Sequence, residues 1–259
     1  MRWTSWTKKT RYVLVCALLI CLAPLMAPAW QITEQEPQST APQPQPQPET
    51  PVQPAPQETE TPKPSPPEFL VIIDPSHGGD DHGAILGGQL MEKDITLNFA
   101  RLLRWELGNR GIAARLLRES DVSMGPERRA ELANSLHAAL YIALHAGEQG
   151  EGVRVYAPLL PSSPPSGRFL PWEAAQSDSL PRSRAMASAV AAELTKAQVE
   201  VASMNAPLRP LNNIVAPAIA IELAATDEPR TIATPKFQTS VALAITTAIV
   251  KSRGQGGQP

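Results

Sequence analysis

The sequence predicts a single α/β domain over residues 68–253, with a mostly parallel (mixed), twisted sheet flanked by helices. Two observations predict it. Short apolar runs, rich in β-branched residues, alternate with longer segments of helical periodicity, and this alternation is typical of layered α/β folds with parallel strands. The domain is also long enough, at about 185 residues, to bury one substantial core.

Local patterns place the individual elements in order. The apolar run 69–73 predicts a buried strand over 69–74, which ends at Asp74-Pro75. The next helix, 93–109, has apolar residues on one face and Gly111 just past its end. Pro126 suits the first turn of another helix. The remaining predicted strands are 113–118, 139–144, 153–157, 199–204 and 217–223, and the remaining helices are 126–137, 183–197 and 236–251.

Residues 1–29 have the pattern of an export signal. Lys8, Lys9 and Arg11 precede an apolar run, which ends in a small-x-small cleavage signal at residues 27–29. We expect cleavage after this signal. The alternative is an uncleaved signal anchor, because the uncharged run is near the lower limit for spanning a bilayer. The protein is therefore expected to be exported to the periplasm or cell envelope, with membrane contact only through a retained anchor.

Low-complexity sequence flanks the predicted domain. Twelve of the residues in 37–67 are proline, interleaved with Gln, Glu and Thr. Such a composition cannot bury a core and favours polyproline II, so residues 30–67 are predicted to be a disordered linker that acts as a spacer. Residues 254–259 are expected to form a flexible tail.

Composition excludes two classes of function. Both cysteines, Cys16 and Cys21, lie in the export signal, so the mature chain is expected to have no disulfide and no thiol nucleophile. The formal net charge is −2, and the domain has no basic field. Nucleic acid is therefore a poor candidate partner.

Four ionisable residues stand where predicted strands end or a helix begins. His77 follows the first strand in a glycine-rich loop, His145 ends the strand 139–144, Glu222 lies near the end of a later strand, and Glu92 begins a helix. In open α/β sheets, ligands bind beyond the carboxyl ends of the strands. A histidine and a carboxylate that meet there can share one metal ion. For Glu222, the alternative is a structural salt bridge.

Four segments carry a resemblance to a known family. Residues 73–79 (IDPSHGG), 83–84 (GA) and 92–94 (EKD) resemble the opening motif of the bacterial zinc-dependent N-acetylmuramoyl-L-alanine amidases, which cut peptidoglycan. Residues 216–222 (APAIAIE) are similar to the segment that carries the family's catalytic glutamate. The resemblance implies a hydrolase that cleaves the amide bond between N-acetylmuramic acid and L-alanine, with peptidoglycan as its partner.

The same resemblance implies the roles of the four residues. His77, Glu92 and His145 would bind Zn²⁺ and leave a fourth position open for water. Glu222 would take the proton from the water and pass it to the leaving nitrogen. Two alternatives stay open: an inactive domain that binds peptidoglycan or recruits a partner, and a zinc peptidase that acts on stem peptides. The sequence does not identify a protein activator.

Other positions match the family pattern or depart from it. Arg129 and Asn134 match its Arg-x-x-x-Ala-Asn pattern, and they are expected to pack behind the ligands or help to position the substrate. Lys93 is expected to be a surface residue at the start of its helix. The departures are Ser76 for a usual glycine, His82 for a usual proline, and Gly147 for a usual asparagine; His82 is expected to be a solvated loop residue.

Overall fold

The computed structural model describes residues 69–160, 172–225 and 227–255, and a six-stranded sheet forms the centre of this part of the chain. The predicted export signal and linker lie outside the described residues, as do residues 256–259. The strands of the sheet are β1 (Leu70–Pro75), β4 (Ala113–Leu116), β5 (Leu140–Gly147), β6 (Glu151–Pro158), β7 (Val201–Ala206) and β8 (Ala218–Ala225).

The strand order is β4-β1-β5-β8-β6-β7. The strands β4, β1, β5 and β8 are parallel, β6 is antiparallel to β8, and β7 is parallel to β6. The predicted mostly parallel, mixed sheet is therefore confirmed. Since β1, β5 and β8 are adjacent and parallel, their carboxyl ends lie at one edge.

Helices cover both faces of the sheet. The helices are α1 (Glu92–Asn109), α2 (Pro126–Ser135), α3 (Leu180–Lys196) and α4 (Pro235–Gln255). Phe99, Leu103 and Leu107 of α1 recur every four residues and are fully buried, so they form the face that packs on the sheet. The helices α3 and α4 contribute to the same large core, whereas α2 packs on the opposite face in a smaller core around Tyr141.

The structure differs from the sequence prediction in one added hairpin and in the ends of several elements. A small antiparallel hairpin, β2 (Ile85–Leu86) and β3 (Leu90–Met91), precedes α1. Strands of two residues are too short to show periodicity, so pattern analysis misses them. The strands β5 and β8 also continue three and two residues past their predicted ends at residues 144 and 223.

In the described part of the chain, no helix combines the length and apolar character needed to cross a membrane.

The smaller core gives way to polar side chains at the carboxyl ends of the strands. Side chains alternate between the two faces of a strand, so His145 shares a face with Tyr141 of the smaller core. By the same alternation, Glu222 shares a face with Ala220 of that core. His145 and Glu222 are direct neighbours in the β5–β8 register. The sheet therefore sets these two ionisable side chains side by side, above the core.

Candidate metal centre

Three side chains from separate elements converge at the carboxyl edge of the sheet. His77 follows β1, Glu92 is the first residue of α1, and His145 lies within β5. Each offers one ligand atom, and these atoms all lie within 4.8 Å of one another. Nε2 of His77 is 3.1 Å from Oε2 of Glu92, and Nδ1 of His145 is 3.0 Å from Oε1. Two imidazoles and a carboxylate in this arrangement can hold a divalent metal ion such as Zn²⁺.

The buried carboxylate of Glu92 is the centre of this cluster. Burial alone would raise its pKa, but hydrogen bonds with His145 and His77 and from the Ala84 amide bring the pKa of Glu92 well below its usual range. The amide of Ala146 donates to the same carboxylate over 3.2 Å. The hydrogen bond with Glu92 raises the pKa of His77, against the effect of burial. Glu92 therefore stays anionic, which is the form that binds a cation.

The second ring nitrogen of each histidine has its own partner. Nδ1 of His77 lies 2.9 Å from both carboxylate oxygens of Asp81. Nε2 of His145 lies 3.0 Å from the hydroxyl oxygen of Ser76. Histidines that bind metals commonly use the other nitrogen for such a hydrogen bond, which fixes the orientation of the ring. Each candidate ligand is therefore held with one nitrogen facing Glu92.

Two buried arginines hold the backbone that leads to His77. Arg118 donates to the carbonyl oxygens of Pro75 at 2.8 Å and Ser76 at 3.0 Å. Arg129 donates to the carbonyl oxygens of Pro75 at 2.9 Å and His77 at 2.8 Å. His77 itself has a φ of 61°, an uncommon conformation for a residue other than glycine. The two guanidinium groups thus fix an unusual turn that directs the imidazole of His77 toward Glu92.

Arg129 also neutralises a fully buried carboxylate. Its Nη1 contacts Oδ1 of Asp74, and the hydroxyl of Tyr141 donates to Oδ2. Asp74 and Tyr141 are both 0% exposed. Burial and the neighbouring Asp74 raise the pKa of Tyr141 well above its ordinary value, so the phenol keeps the proton it donates. Arg129 thus joins the core below the sheet edge to the loop that carries His77.

Replacing Arg129 with methionine is expected to destabilise the protein by about 3–5 kcal/mol, because the carboxylate of Asp74 stays buried without its cation. The neighbouring Arg128 is the matched control: it lies on the same helix, but its ion pair with Glu131 is exposed on both sides. Arg128→Met should therefore change the free energy of unfolding only slightly. Urea denaturation of both variants measures the difference. Equal stability of Arg129→Met and the unmodified protein would contradict the structural role assigned to Arg129.

Asn134 lies away from the cluster. Its side chain donates to the carbonyl oxygen of Asn213 at 3.0 Å and accepts from the amide of Val215 at 2.9 Å. It lines a larger, mostly apolar cavity of about 780 Å³, near Leu140 and Pro217 at the amino ends of β5 and β8. Its contacts therefore belong to the packing of the segment before β8.

The expected surface position of Lys93 is wrong. The residue is 7% exposed, and its ammonium group donates to Gly79 O and to Asp121, both at 2.8 Å. Asp121 also accepts from the Gly79 amide at 2.7 Å. The start of α1 is covered by the glycine-rich loop, and Lys93 supplies a donor that this loop needs. Helix periodicity alone gives no sign of that cover.

Glu222 has two polar neighbours from β6. The hydroxyl of Tyr156 donates to its Oε2 at 2.6 Å, and Nη1 of Arg154 lies 3.3 Å from both carboxylate oxygens. The salt bridge that the sequence left open for Glu222 is thus present. Gly147 lies against the same carboxylate: a Cβ at that position would be 2.4 Å from Oε1. The absence of a side chain at Gly147 therefore makes room for Glu222.

One open cleft of about 500 Å³ brings the four candidate residues together. Although it is smaller than the apolar cavity near Asn134, we place the candidate site here, because the ionisable side chains converge here. Besides the three candidate ligands and Glu222, the cleft is lined by Ala84, Ala146, Gly147, Glu148, Gln149, Tyr156 and Leu208.

Several partners of these residues were not predicted from the sequence. Asp81, Arg118, Arg154 and Tyr156 were not singled out as parts of the site. Arg118 follows β4 at the same sheet edge as His77, so the strand-end rule could have identified it. Arg154 and Tyr156 alternate along β6, which pairs with β8, but their neighbour could be found only once that pairing was known.

The sequence profile of one family, described as N-acetylmuramoyl-L-alanine amidase, matches residues 71–251. A germination-specific N-acetylmuramoyl-L-alanine amidase of Bacillus subtilis is 38% identical over an alignment of 90 residues, and the match covers 29% of this chain and 38% of the relative. The N-acetylmuramoyl-L-alanine amidase AmiA of Salmonella typhimurium is 42% identical over 77 residues, covering 30% of this chain and 27% of the relative. The chain thus spans less than two fifths of the length of these relatives.

Among solved structures, the N-acetylmuramoyl-L-alanine amidase AmiC2 of Nostoc punctiforme has the same fold. Its TM-score to this chain is 0.58 with 24% sequence identity, and the match covers 72% of this chain and 97% of the other. The agreement in fold extends over nearly the whole of that domain.

Proposed function

Because the chain belongs to the N-acetylmuramoyl-L-alanine amidase family, we propose that it hydrolyses the amide bond between N-acetylmuramic acid and L-alanine in peptidoglycan. The observation that carries the proposal is the cleft in which a His-Glu-His cluster and a separate glutamate line one open surface. This set provides a metal site and a carboxylate outside it, which are the two components that metal-assisted amide hydrolysis requires.

The proposed cofactor is Zn²⁺, held by His77, Glu92 and His145. The donor set fits this ion because it combines two neutral imidazoles with one carboxylate, as catalytic zinc sites do. When bound, zinc would lower the pKa of water and polarise the amide carbonyl. Asp81 would orient His77 through Nδ1, and the Ala84 and Ala146 amides would hold Glu92 in place.

In this proposal Glu222 moves the proton. Its carboxylate would accept a proton from the attacking water and donate it to the nitrogen that leaves. Tyr156 would hold Oε2 through its hydroxyl, and Arg154 would keep the carboxylate over Gly147. The salt bridge with Arg154 does not remove Glu222 from this role, since Glu222 still lines the cleft.

Digestion of purified sacculi tests the reaction. The expected products are glycan strands without peptide and free stem peptides that begin with L-alanine, identified by mass. A zinc peptidase would instead release shortened peptides and leave L-alanine attached to the sugar. An inactive domain would bind the sacculi and release nothing. Either of these last two results would contradict the proposed reaction, and protein stripped of metal by a chelator is the control.

We also propose that the protein works outside the cytoplasm, where peptidoglycan lies. The proposed location is supported by the predicted export signal of residues 1–29 and the predicted linker of residues 30–67, which both lie outside the described residues. Cell fractionation should find the protein in the periplasm or envelope. Recovery only from the cytoplasm would contradict the proposed location.

A further inference from the structure

The hydroxyl of Ser76 contacts the candidate ligand His145 on the side away from Glu92. Its Oγ is 3.0 Å from Nε2 of His145, while Nδ1 of the same ring is 3.0 Å from Oε1 of Glu92. We propose that Ser76 is a positioning residue that selects the tautomer of His145, so that His145 binds metal through Nδ1 and His77 through Nε2. This inference rests on the metal site of the proposed function.

A neutral imidazole has two nitrogens with different roles. One carries a proton and donates, and the other has the free electron pair that a metal requires. With Nδ1 facing the cluster, Nε2 must carry the proton and needs an acceptor. The serine oxygen can accept it, since a hydroxyl has acceptor capacity as well as one donor. Without the hydroxyl, the proton on Nε2 of His145 loses this acceptor.

The backbone holds Ser76 in place independently of its side chain. Its amide donates to the carbonyl oxygen of Leu144 at 3.1 Å, on the strand that carries His145. Its own carbonyl oxygen accepts from Thr96 at 3.1 Å and from Arg118 at 3.0 Å. Ser76 is 7% exposed, and it is not among the described residues with positive φ. A smaller residue at this position therefore removes the hydroxyl without requiring a new backbone conformation.

The other histidine has the opposite arrangement. Nδ1 of His77 faces the carboxylate of Asp81, and Nε2 faces Glu92. A carboxylate accepts hydrogen bonds, so it fixes the proton of His77 on Nδ1. The two ligand histidines are thus expected to carry their protons on different nitrogens. The carboxylate of Asp81 fixes the proton of His77 on Nδ1, and the hydroxyl of Ser76 fixes the proton of His145 on Nε2.

Nuclear magnetic resonance of the ¹⁵N-labelled, zinc-loaded protein tests the tautomers directly. The chain has four histidines, so the ring signals are few enough to assign. We expect His145 to carry its proton on Nε2 and His77 on Nδ1. Zinc bound through Nε2 of His145 would overturn the inference, and so would a wild-type protein that binds no zinc.

Zinc affinity tests the role of the hydroxyl. Ser76→Ala and Ser76→Gly are expected to weaken zinc binding by about 10- to 100-fold, the usual effect of removing a hydrogen-bond partner of a ligand. Ser76→Thr should recover part of the loss, because it restores a hydroxyl. Ser123→Ala is the matched control: its hydroxyl donates to Gly78 O at 3.0 Å, next to the same loop, but to no candidate ligand. Its zinc affinity should stay unchanged.

A folding measurement and an activity measurement show which statement a negative result contradicts. Unfolding of the metal-free variants shows whether Ser76→Ala and Ser76→Gly are folded, and at least one folded variant with weaker zinc binding is expected. Zinc affinity within twofold of the wild type in a folded variant would overturn the inference. Absence of amidase activity despite bound zinc would refute the proposed reaction alone, because neither the tautomers nor the zinc affinity depend on the substrate.

Discussion

Replacing Glu222 with glutamine is expected to lower amidase turnover by about 10²–10⁴-fold, the usual contribution of general acid–base catalysis. Glutamine is nearly the same size as glutamate, so it can fill the space above Gly147 and still accept from Tyr156. It cannot take up and return a proton. Since Glu222 is outside the His-Glu-His cluster, the variant should bind zinc as the wild type does.

The measurement is zinc content beside the rate of release of stem peptides from sacculi. Glu131→Gln is the control for the chemical change, because Glu131 is an exposed residue of α2 that pairs only with Arg128 in the contacts described above. It should keep full activity. Near wild-type activity of Glu222→Gln would show that another group moves the proton.

Replacing His77 or His145 with alanine is expected to remove zinc from the purified protein and, with it, all measurable amidase activity. Two protein ligands hold zinc poorly, and each histidine supplies one of three. Glu92→Gln should weaken zinc binding for a different reason, since it removes the anionic ligand. Metal analysis of each variant after dialysis against buffer checks this.

His82→Ala is the matched control for the two histidine variants. His82 lies in the same glycine-rich loop, but it is exposed and is not part of the cluster of possible metal ligands. Its replacement should leave both zinc and activity intact. Full zinc occupancy in His77→Ala or His145→Ala would refute the ligand assignment, and loss of zinc in His82→Ala would point to a different set of ligands.

The location of the candidate site at the carboxyl edge of the sheet could be predicted from sequence, because it depends on local patterns. His77 and His145 follow or end apolar runs, and parallel strands bring their carboxyl ends together. The exact strand ends could not be predicted: β5 continues past His145, which was expected to end its strand, and β8 continues two residues past its predicted end at residue 223. A polar side chain does not end a strand, because the backbone hydrogen bonds of the ladder continue past it.

The partners that orient the site depend on contacts between distant parts of the chain. Ser76 meets His145 across 69 residues, and Arg129 meets Asp74 across 55. A single sequence has no local signal for such pairs. Lys93 shows the same limit, since its burial depends on the loop that covers it and on Asp121, 28 residues away.

The contact between Gly147 and Glu222 couples two positions that lie far apart in sequence. Any residue with a β-carbon at 147 would place that atom 2.4 Å from Oε1 of Glu222, so the carboxylate must first move elsewhere. Arg154 and Tyr156 hold it where it is. An asparagine at 147, the residue that the family resemblance leads one to expect, would therefore displace the carboxylate of Glu222 from its contacts with Arg154 and Tyr156. A loop graft that brings a side chain to position 147 should therefore be designed together with residues 154 and 156, which hold that carboxylate.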